Sequence, residues 1–290
     1  MLTLANTPPT VRVISQLDIR KILRMVDSAW RVYIRMAPVE LRAKIEVLPG
    51  FLAEDSTGLR GFMVIEPIGP NVALLVAAGL RDTWSVRPYL KLLLPEIEQD
   101  ARARQLSSLV YIGNAQWLID ELKQHGFETH EWMMAYERSG VDPPPEVSGP
   151  ATIRTAHTRD LSVLLRLDAL AFDQIWRKSF GNFNRALASA ASFVLAELDG
   201  DIVGYAWCEL IRWHAHLTRL AVHPGYQGRG IGAQLLQRAI SDVLARGGNR
   251  ITLNTQENNW RSRMLYERFG FADTEQRMPV LWKTLSNGEW

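Results

Sequence analysis

Apolar and polar positions along this chain run through the same pattern twice. Asp18, Ile22, Leu23, Arg24, Ala29 and Trp30 match Asp160, Leu164, Leu165, Arg166, Ala171 and Phe172 at a constant offset of 142 residues, and both segments space their apolar residues as helices do. FLAEDSTGLRGFMV at 51–64 matches VLAELDGDIVGYAW at 194–207, with Gly61 under Gly204, and each reads as two strands joined by a turn. KQHGFETHEWM at 123–133 matches ERFGFADTEQR at 267–277, with Gly126 under Gly270. Three blocks in one order, drifting by two residues in offset, mark an internal duplication.

Each copy predicts a strand, one or two helices, a hairpin, a further strand, a helix, a strand, a short helix and a closing strand. That order implies an α/β or α+β fold with a mixed sheet flanked by helices. DPPPEVSGP at 142–150 has three consecutive prolines and a fourth at its end, so it reads as an extended linker. The expected division is a first domain over 1–140, a linker over 141–150 and a second domain over 151–290.

Composition narrows the partners. With 47% hydrophobic and 22% charged residues in 290, the chain has the make-up of a globular protein with sizeable cores. A net charge of +2 provides no global field for nucleic acid or an anionic membrane. The single cysteine, Cys208, can form neither an internal disulfide nor a cysteine metal cluster, so no metal site is expected and a reducing cytoplasm fits. The longest apolar run, VALLVAAGL at 72–80, is too short to span a bilayer, and the start MLTLANTPPTVRV lacks the features of a signal peptide.

The second copy contains one segment without counterpart in the first. LAVHPGYQGRGIGAQLL at 220–236 places a glycine-rich turn between an aliphatic strand and a Leu-rich helix. Free amides at the first turn of a helix, with glycines that admit positive φ, suit phosphate oxygens. A P-loop is excluded because Ile231, Gly232 and Ala233 follow Gly230 where Lys and Ser/Thr are needed. A dinucleotide fingerprint fits poorly, since the turn follows earlier strands of its own copy and no acid follows at the required distance.

Gln227, Gly230 and Gly232 after LAVHP instead resemble the acetyl-CoA pyrophosphate loop of the GCN5-related N-acetyltransferase (GNAT) superfamily. Asn259, Ser262, Leu265, Tyr266, Gly270 and Phe271 resemble that superfamily's closing segment. The resemblance implies an acetyl-CoA-dependent N-acetyltransferase that moves an acetyl group directly to a primary amine, on a small molecule or a peptide or protein. It implies that backbone groups of Leu220, Ala221 and Val222 meet the pantetheine arm, and that the amides of Gln227, Gly228, Arg229, Gly230, Ile231 and Gly232 cradle the pyrophosphate. Asn259 would contact the pantetheine arm, cap the following helix, or do both. Tyr266 would protonate the leaving thiolate, as a phenol that stays protonated at neutral pH.

His216 stands where some members carry the base that deprotonates the amine. Strand alternation would put His214, His216, Thr218 and Leu220 on one face, with His214 extending a proton path. Glu209, Glu257 or water are the alternatives for the base. Asn254 replaces the Glu found five residues before the Asn in some peptide N-terminal acetyltransferases, which weakens assignment to that subgroup. Phe172, Trp176, Trp207 and Trp213 are candidates for either acceptor contacts or core.

At the 144 offset, Val86 lies under Gly230, Pro88 under Gly232, Ala115 under Asn259 and Leu122 under Tyr266. The first copy therefore reads as a degenerate, non-catalytic domain of the same fold. Two other readings remain open: a CoA-binding regulator or sensor without turnover, and a transferase of a longer acyl group.

Overall fold

A computed structural model describes residues 8–36 and 38–285, so the part of the signal-peptide reading that falls on 1–7 lies outside the described residues. The chain forms two compact units, residues 1–132 with 278–290, and residues 133–277. Among the described residues no helix is long and apolar enough to cross a membrane.

The first unit contains β1 (Thr10–Val13), α1 (Ile19–Ser28), β2 (Arg31–Ile34), α2 (Pro38–Val47), β3 (Gly50–Asp55), β4 (Gly58–Ile68), β5 (Val72–Leu80), α3 (Val86–Ala103), β6 (Ser108–Ile112), α4 (Gln116–Gln124) and the start of β7 (Glu128–Ser139). β1, β3, β4 and β5 pair antiparallel in that order, and β5 pairs parallel with β6. α3 packs on this sheet through Tyr89, Leu90, Leu93, Leu94 and Ile97, all buried.

The second unit repeats the plan with β8 (Thr152–Thr155), α5 (Leu161–Ala171), α6 (Phe180–Ser189), β9 (Ser192–Leu198), β10 (Asp201–Ile211), β11 (His214–Val222), α7 (Ile231–Ala245), β12 (Arg250–Gln256), α8 (Trp260–Arg268) and the first part of β13 (Ala272–Thr284). β8, β9, β10 and β11 are antiparallel neighbours, and β11 pairs parallel with β12. One face of this sheet packs on α7 and α8, through residues such as Leu217, Leu236, Ile240 and Tyr266. The other packs on α5 and α6 through Leu164, Phe183, Phe193, Tyr205 and Trp207.

The compact units do not follow the two halves of the sequence, because each closing strand changes unit along its length. Met133–Ser139 of β7 run antiparallel to β12, and Val280–Thr284 of β13 run antiparallel to β6. A cation on each transferred segment caps a helix C-terminus, where free carbonyls carry the negative end of the dipole. Arg138 donates to the Phe269 carbonyl after α8 (3.0 Å), and Lys283 donates to the His125 carbonyl after α4 (2.7 Å). The proline-rich stretch 142–150 lies wholly within the second unit.

Two details of the duplication emerge only in three dimensions. Arg12 donates to Asp18 and Glu54, and Arg154 donates to Asp160 and Glu197 through the same guanidinium nitrogens. In each copy this ties the first strand to the first helix and the hairpin. Each copy also has a β-bulge in the corresponding place: Val76 interrupts the β4·β5 register as Thr218 interrupts β10·β11. The bulge reverses the side-chain alternation of β11. Ala215 and Leu217 face α7, but beyond the bulge Leu220 and Val222 do, while Arg219 and Ala221 face α5. The single face expected for His214, His216, Thr218 and Leu220 therefore ends at His216.

Asp160 is buried, and the Arg154 hydrogen bond is the first of the interactions holding its carboxyl below the ordinary range. Asp160→Ala is expected to lower the unfolding free energy by about 2–4 kcal/mol, the scale for breaking a largely buried ion pair. Urea denaturation at pH 7 checks this; a loss below about 0.5 kcal/mol, the level of a neutral surface change, would remove the network from what fixes β8.

Candidate active site

β11 and β12 pair in parallel over three positions only, His214 to His216 against Arg250 to Thr252. β12 continues against β7 up to Gln256, while β11, bent at the Thr218 bulge, continues against β10 up to Val222. The two strands diverge and leave a slot. His223 donates its N–H to Val203 on β10, so the alternating ladder turns the N–H and C=O of Ala221 toward β10 and those of Leu220 and Val222 toward the slot.

The first unit has the same divergence and closes it. β5 and β6 pair over Val72 to Leu74 and Ser108 to Val110, and then β2 runs antiparallel along Ala77–Leu80, on the edge that β6 has left. Arg35 donates to the Val76 carbonyl at 2.8 Å. The Tyr33 hydroxyl lies within hydrogen-bond distance of the Ile112 (2.9 Å) and Leu75 (3.2 Å) carbonyls, bridging the two parting strands. Gly113 makes room for that ring, since a Cβ there would lie 2.7 Å from a Tyr33 ring carbon. In the second unit the chain after α5 forms a short turn, Gln174–Trp176, instead of a strand.

At the far end of the open slot lies the glycine turn. Gly228 and Gly230 have φ of +79° and +82°, and a Cβ at either would meet nothing within 4 Å. Backbone conformation, not space, requires glycine there. The N–H groups of Gly228, Arg229, Gly230, Ile231 and Gly232 donate to no backbone carbonyl among the described residues, and they surround the N-terminus of α7. Gln227 donates from its side chain to the Val222 carbonyl (3.2 Å), tying the turn to the strand. The buried Ile231 side chain anchors the helix, and the Arg229 guanidinium lies 5.2 Å from the Tyr226 ring centre.

The corresponding connection in the first unit is shorter. Residues 81–85 join β5 to α3, against 223–230 between β11 and α7, so three residues are missing from the turn. Helix starts align Ser85 with Gly230 and Val86 with Ile231, one position from the alignment expected on sequence, because the gap falls in this loop. Ala115 and Leu122 do align with Asn259 and Tyr266 on the matching helices.

Tyr266 is buried on α8 against Tyr136 and Phe271. Burial pushes its phenol above the ordinary range, and a hydrogen bond with Ser262 offsets part of that. It is protonated throughout neutral pH. The Asn259 side-chain oxygen accepts from the Ser262 N–H at 3.3 Å, so it is the N-cap of α8, which leaves its amide NH2 for a further partner.

His216, half-buried, lies beside the apex of the slot in a cleft of about 580 Å³ lined also by Glu209, Ile211, Trp213, His214 and Thr252. Its Nδ1 is 2.9 Å from the Thr252 hydroxyl, which is 3.3 Å from the Ala215 carbonyl. With the hydroxyl proton given to that carbonyl, Nδ1 carries the imidazole proton and Nε2 is the basic atom. Burial lowers the His216 pKa below 6.5; the Glu209 charge opposes this and Lys178 adds to it. Glu257 is exposed and is not among the residues lining this cleft.

The tryptophans and Phe172 separate by environment. Trp207 is 1% exposed among Phe183, Phe193 and Tyr205, so it is core. Phe172 stacks on the Arg219 guanidinium at 3.5 Å, and Trp176 offers its carbonyl to the same group. Trp213 alone among the four is exposed and lines the cleft. Cys208 is buried, which pushes its thiol above the ordinary range and leaves it unsuited to nucleophilic attack.

Asp168 and Arg219 form a network that sequence inspection missed. Asp168, 1% exposed on α5, accepts from Arg219 Nε (2.9 Å) and Nη2 (2.7 Å), from the Tyr205 hydroxyl and from the Lys178 N–H (2.8 Å). The strand after the bulge is thereby tied to the chain between α5 and α6. The hint in the sequence is an arginine next to the aliphatic run Leu220–Val222.

Residues 161–271 match the Acetyltransferase (GNAT) family. A putative ribosomal protein bS18-alanine N-acetyltransferase of Bacillus subtilis is 22% identical over 146 residues, covering 47% of this chain and 97% of that protein. The streptothricin acetyltransferase of Streptomyces lavendulae is 32% identical over 104 residues, covering 35% of this chain and 55% of that protein. A tandem GNAT protein from the clavulanic acid biosynthesis pathway has the same fold over 97% of this chain and 100% of that one, with a TM-score of 0.68 at 14% identity. The second repeat thus carries the segment that matches the GNAT family, and the chain as a whole has the fold of a tandem GNAT protein.

Proposed function

We propose that the second unit is an acetyl-CoA-dependent N-acetyltransferase acting by direct transfer to a primary amine. The observation that carries this reading is the slot between β11 and β12, left open beside a turn of free amides. Acetyl-CoA, when bound, supplies an acetyl group on a thioester. The residues present fit it: Gly228 to Gly232 offer N–H groups for the pyrophosphate, and the Leu220 and Val222 backbone edge matches the amides of a pantetheine arm. In the first unit the corresponding edge, Ala78 and Leu80, is occupied by β2 as a strand, which supports such pairing. Asn259 keeps its amide NH2 for the same arm.

His216 Nε2 receives the proton of the acceptor amine, and a pKa below 6.5 keeps this base neutral at pH 7. Tyr266 donates its phenolic proton to the departing sulfur, a role its raised pKa allows because the acid is fully protonated. Retention of acid and base together favours turnover over a sensor role. The first unit, with its slot filled and its turn shortened, takes no part in transfer.

Tyr266→Phe is expected to lower kcat by about 10²-fold or more, the scale of general acid catalysis, while the acetyl-CoA Kd changes less than about threefold; unchanged kcat would remove Tyr266 from the mechanism. In wild type, kcat should rise with pH along a limb whose midpoint lies below 6.5, and His216→Gln should abolish that limb. Survival of the limb in the variant would assign it to another group. Titration calorimetry of the full chain should find one CoA per chain, with hydrogen exchange slowing at Leu220 and Val222 on binding and already slow at Ala78 and Leu80 without it. Two sites would show that β2 leaves its slot.

A further inference from the structure

The cleft beside His216 has one carboxylate in its lining, Glu209. It sits on β10 directly opposite His216 and on the same face of the sheet, and its charge acts on the imidazole. Two residues further along that face is Ile211, 76% exposed, and across the hairpin is Trp213, 49% exposed. Trp213 stands edge-on to His214, with ring centres 5.6 Å apart and planes at 81°. A charge and a wide apolar surface therefore lie side by side next to the proposed base.

The turn that presents Trp213 is unusual. Ile211 pairs with His214, so Arg212 and Trp213 are a two-residue hairpin loop, the kind that favours Asn and Gly. Arg212 has φ of +59°, in the left-handed region that disfavours its side chain. The turn is held by its backbone, the Asn249 N–H donating to the Trp213 carbonyl at 3.0 Å, while the apolar side chains of Ile211 and Trp213 are left exposed. Large exposed apolar surface in a concave site is the mark of ligand contact. Arg212 also lines the cleft, at its hairpin end, with its guanidinium 6.0 Å from the Trp213 ring centre, whereas Glu209 is the charged group directly opposite His216; Lys178 is on the chain between α5 and α6.

We infer that the acceptor is a primary amine on an apolar, aromatic stem, with Glu209 receiving its ammonium and Ile211 with Trp213 holding the stem. This assignment rests on the acetyl-transfer reading of the same site. Glu209 is a specificity residue that brings the ammonium within reach of His216 Nε2, and the base remains His216. Glu209 and Trp213 are exposed, so replacing them leaves the core intact.

The test is thiol release from acetyl-CoA with 2-phenylethylamine, n-propylamine, glucosamine and an alanine-initiated tetrapeptide. 2-Phenylethylamine should have the highest kcat/KM of the four, by about tenfold or more, the scale expected for burying an aromatic stem. Glu209→Gln should raise its KM about tenfold, the scale of a charge-assisted hydrogen bond, with kcat and the acetyl-CoA Kd changing less than about threefold. Trp213→Ala should remove the advantage of 2-phenylethylamine over n-propylamine. Preference for glucosamine or the peptide, an unmoved KM in Glu209→Gln, or a loss confined to kcat would each overturn the assignment while transfer itself stands. Absence of release with all four amines would overturn the transfer reading together with it.

Discussion

A strand that leaves its neighbour must satisfy its backbone some other way, and that constraint organises both halves of this protein. Bulges at Val76 and Thr218 bend β5 and β11 away from their parallel partners after three residue pairs. In the first unit β2 covers the exposed edge and the Tyr33 hydroxyl spans the gap, so the requirement is met within the fold. In the second, no strand covers the same edge among the described residues, and the Gln227 side chain donates to its Val222 carbonyl. The two copies differ in what lies along one strand edge.

A buried charge pair lies behind the open slot. Arg219, immediately after the bulge, is buried against Asp168 with Phe172 stacked on its guanidinium. Such a pair is costly to desolvate and is tolerated because its polar atoms are satisfied by Tyr205, Lys178 and Trp176 as well. It ties the strand that borders the slot to the chain between α5 and α6. His216, two residues before the bulge, keeps the opposite facing from Leu220, so the two side chains lie on different faces of one strand.

Several parts of this arrangement were legible in the amino-acid order. The duplication shows in helical and strand spacing, and it extends to the matching pairs Arg12 with Glu54 and Arg154 with Glu197. The glycine turn, the Asn259 cap and Tyr266 were legible because each depends on residues close in sequence: positive φ at Gly228 and Gly230, an N-cap three residues before its partner, an aromatic on a short helix. Other parts were hidden. A bulge leaves no signature in the residue at Thr218, so the face shared by His214 and His216 was extended one turn of the alternation too far. The shortened loop at 81–85 displaced the alignment of Val86 by one residue for the same reason, since a gap is invisible until the helix starts are known.

By itself, then, the sequence determined that one fold occurs twice, that the second copy alone carries a glycine-rich turn at the start of a helix, and where Asn259 and Tyr266 stand on the short helix that follows. These are properties of local backbone chemistry. Tertiary structure decided that the first slot is sealed by its own strand, that each closing strand completes the sheet of the other unit, that Trp207 is core while Trp213 is exposed, and that Glu209 faces His216. Those outcomes arise from strands paired across large sequence separations, where the choice of edge and face follows from satisfying every buried backbone group at once.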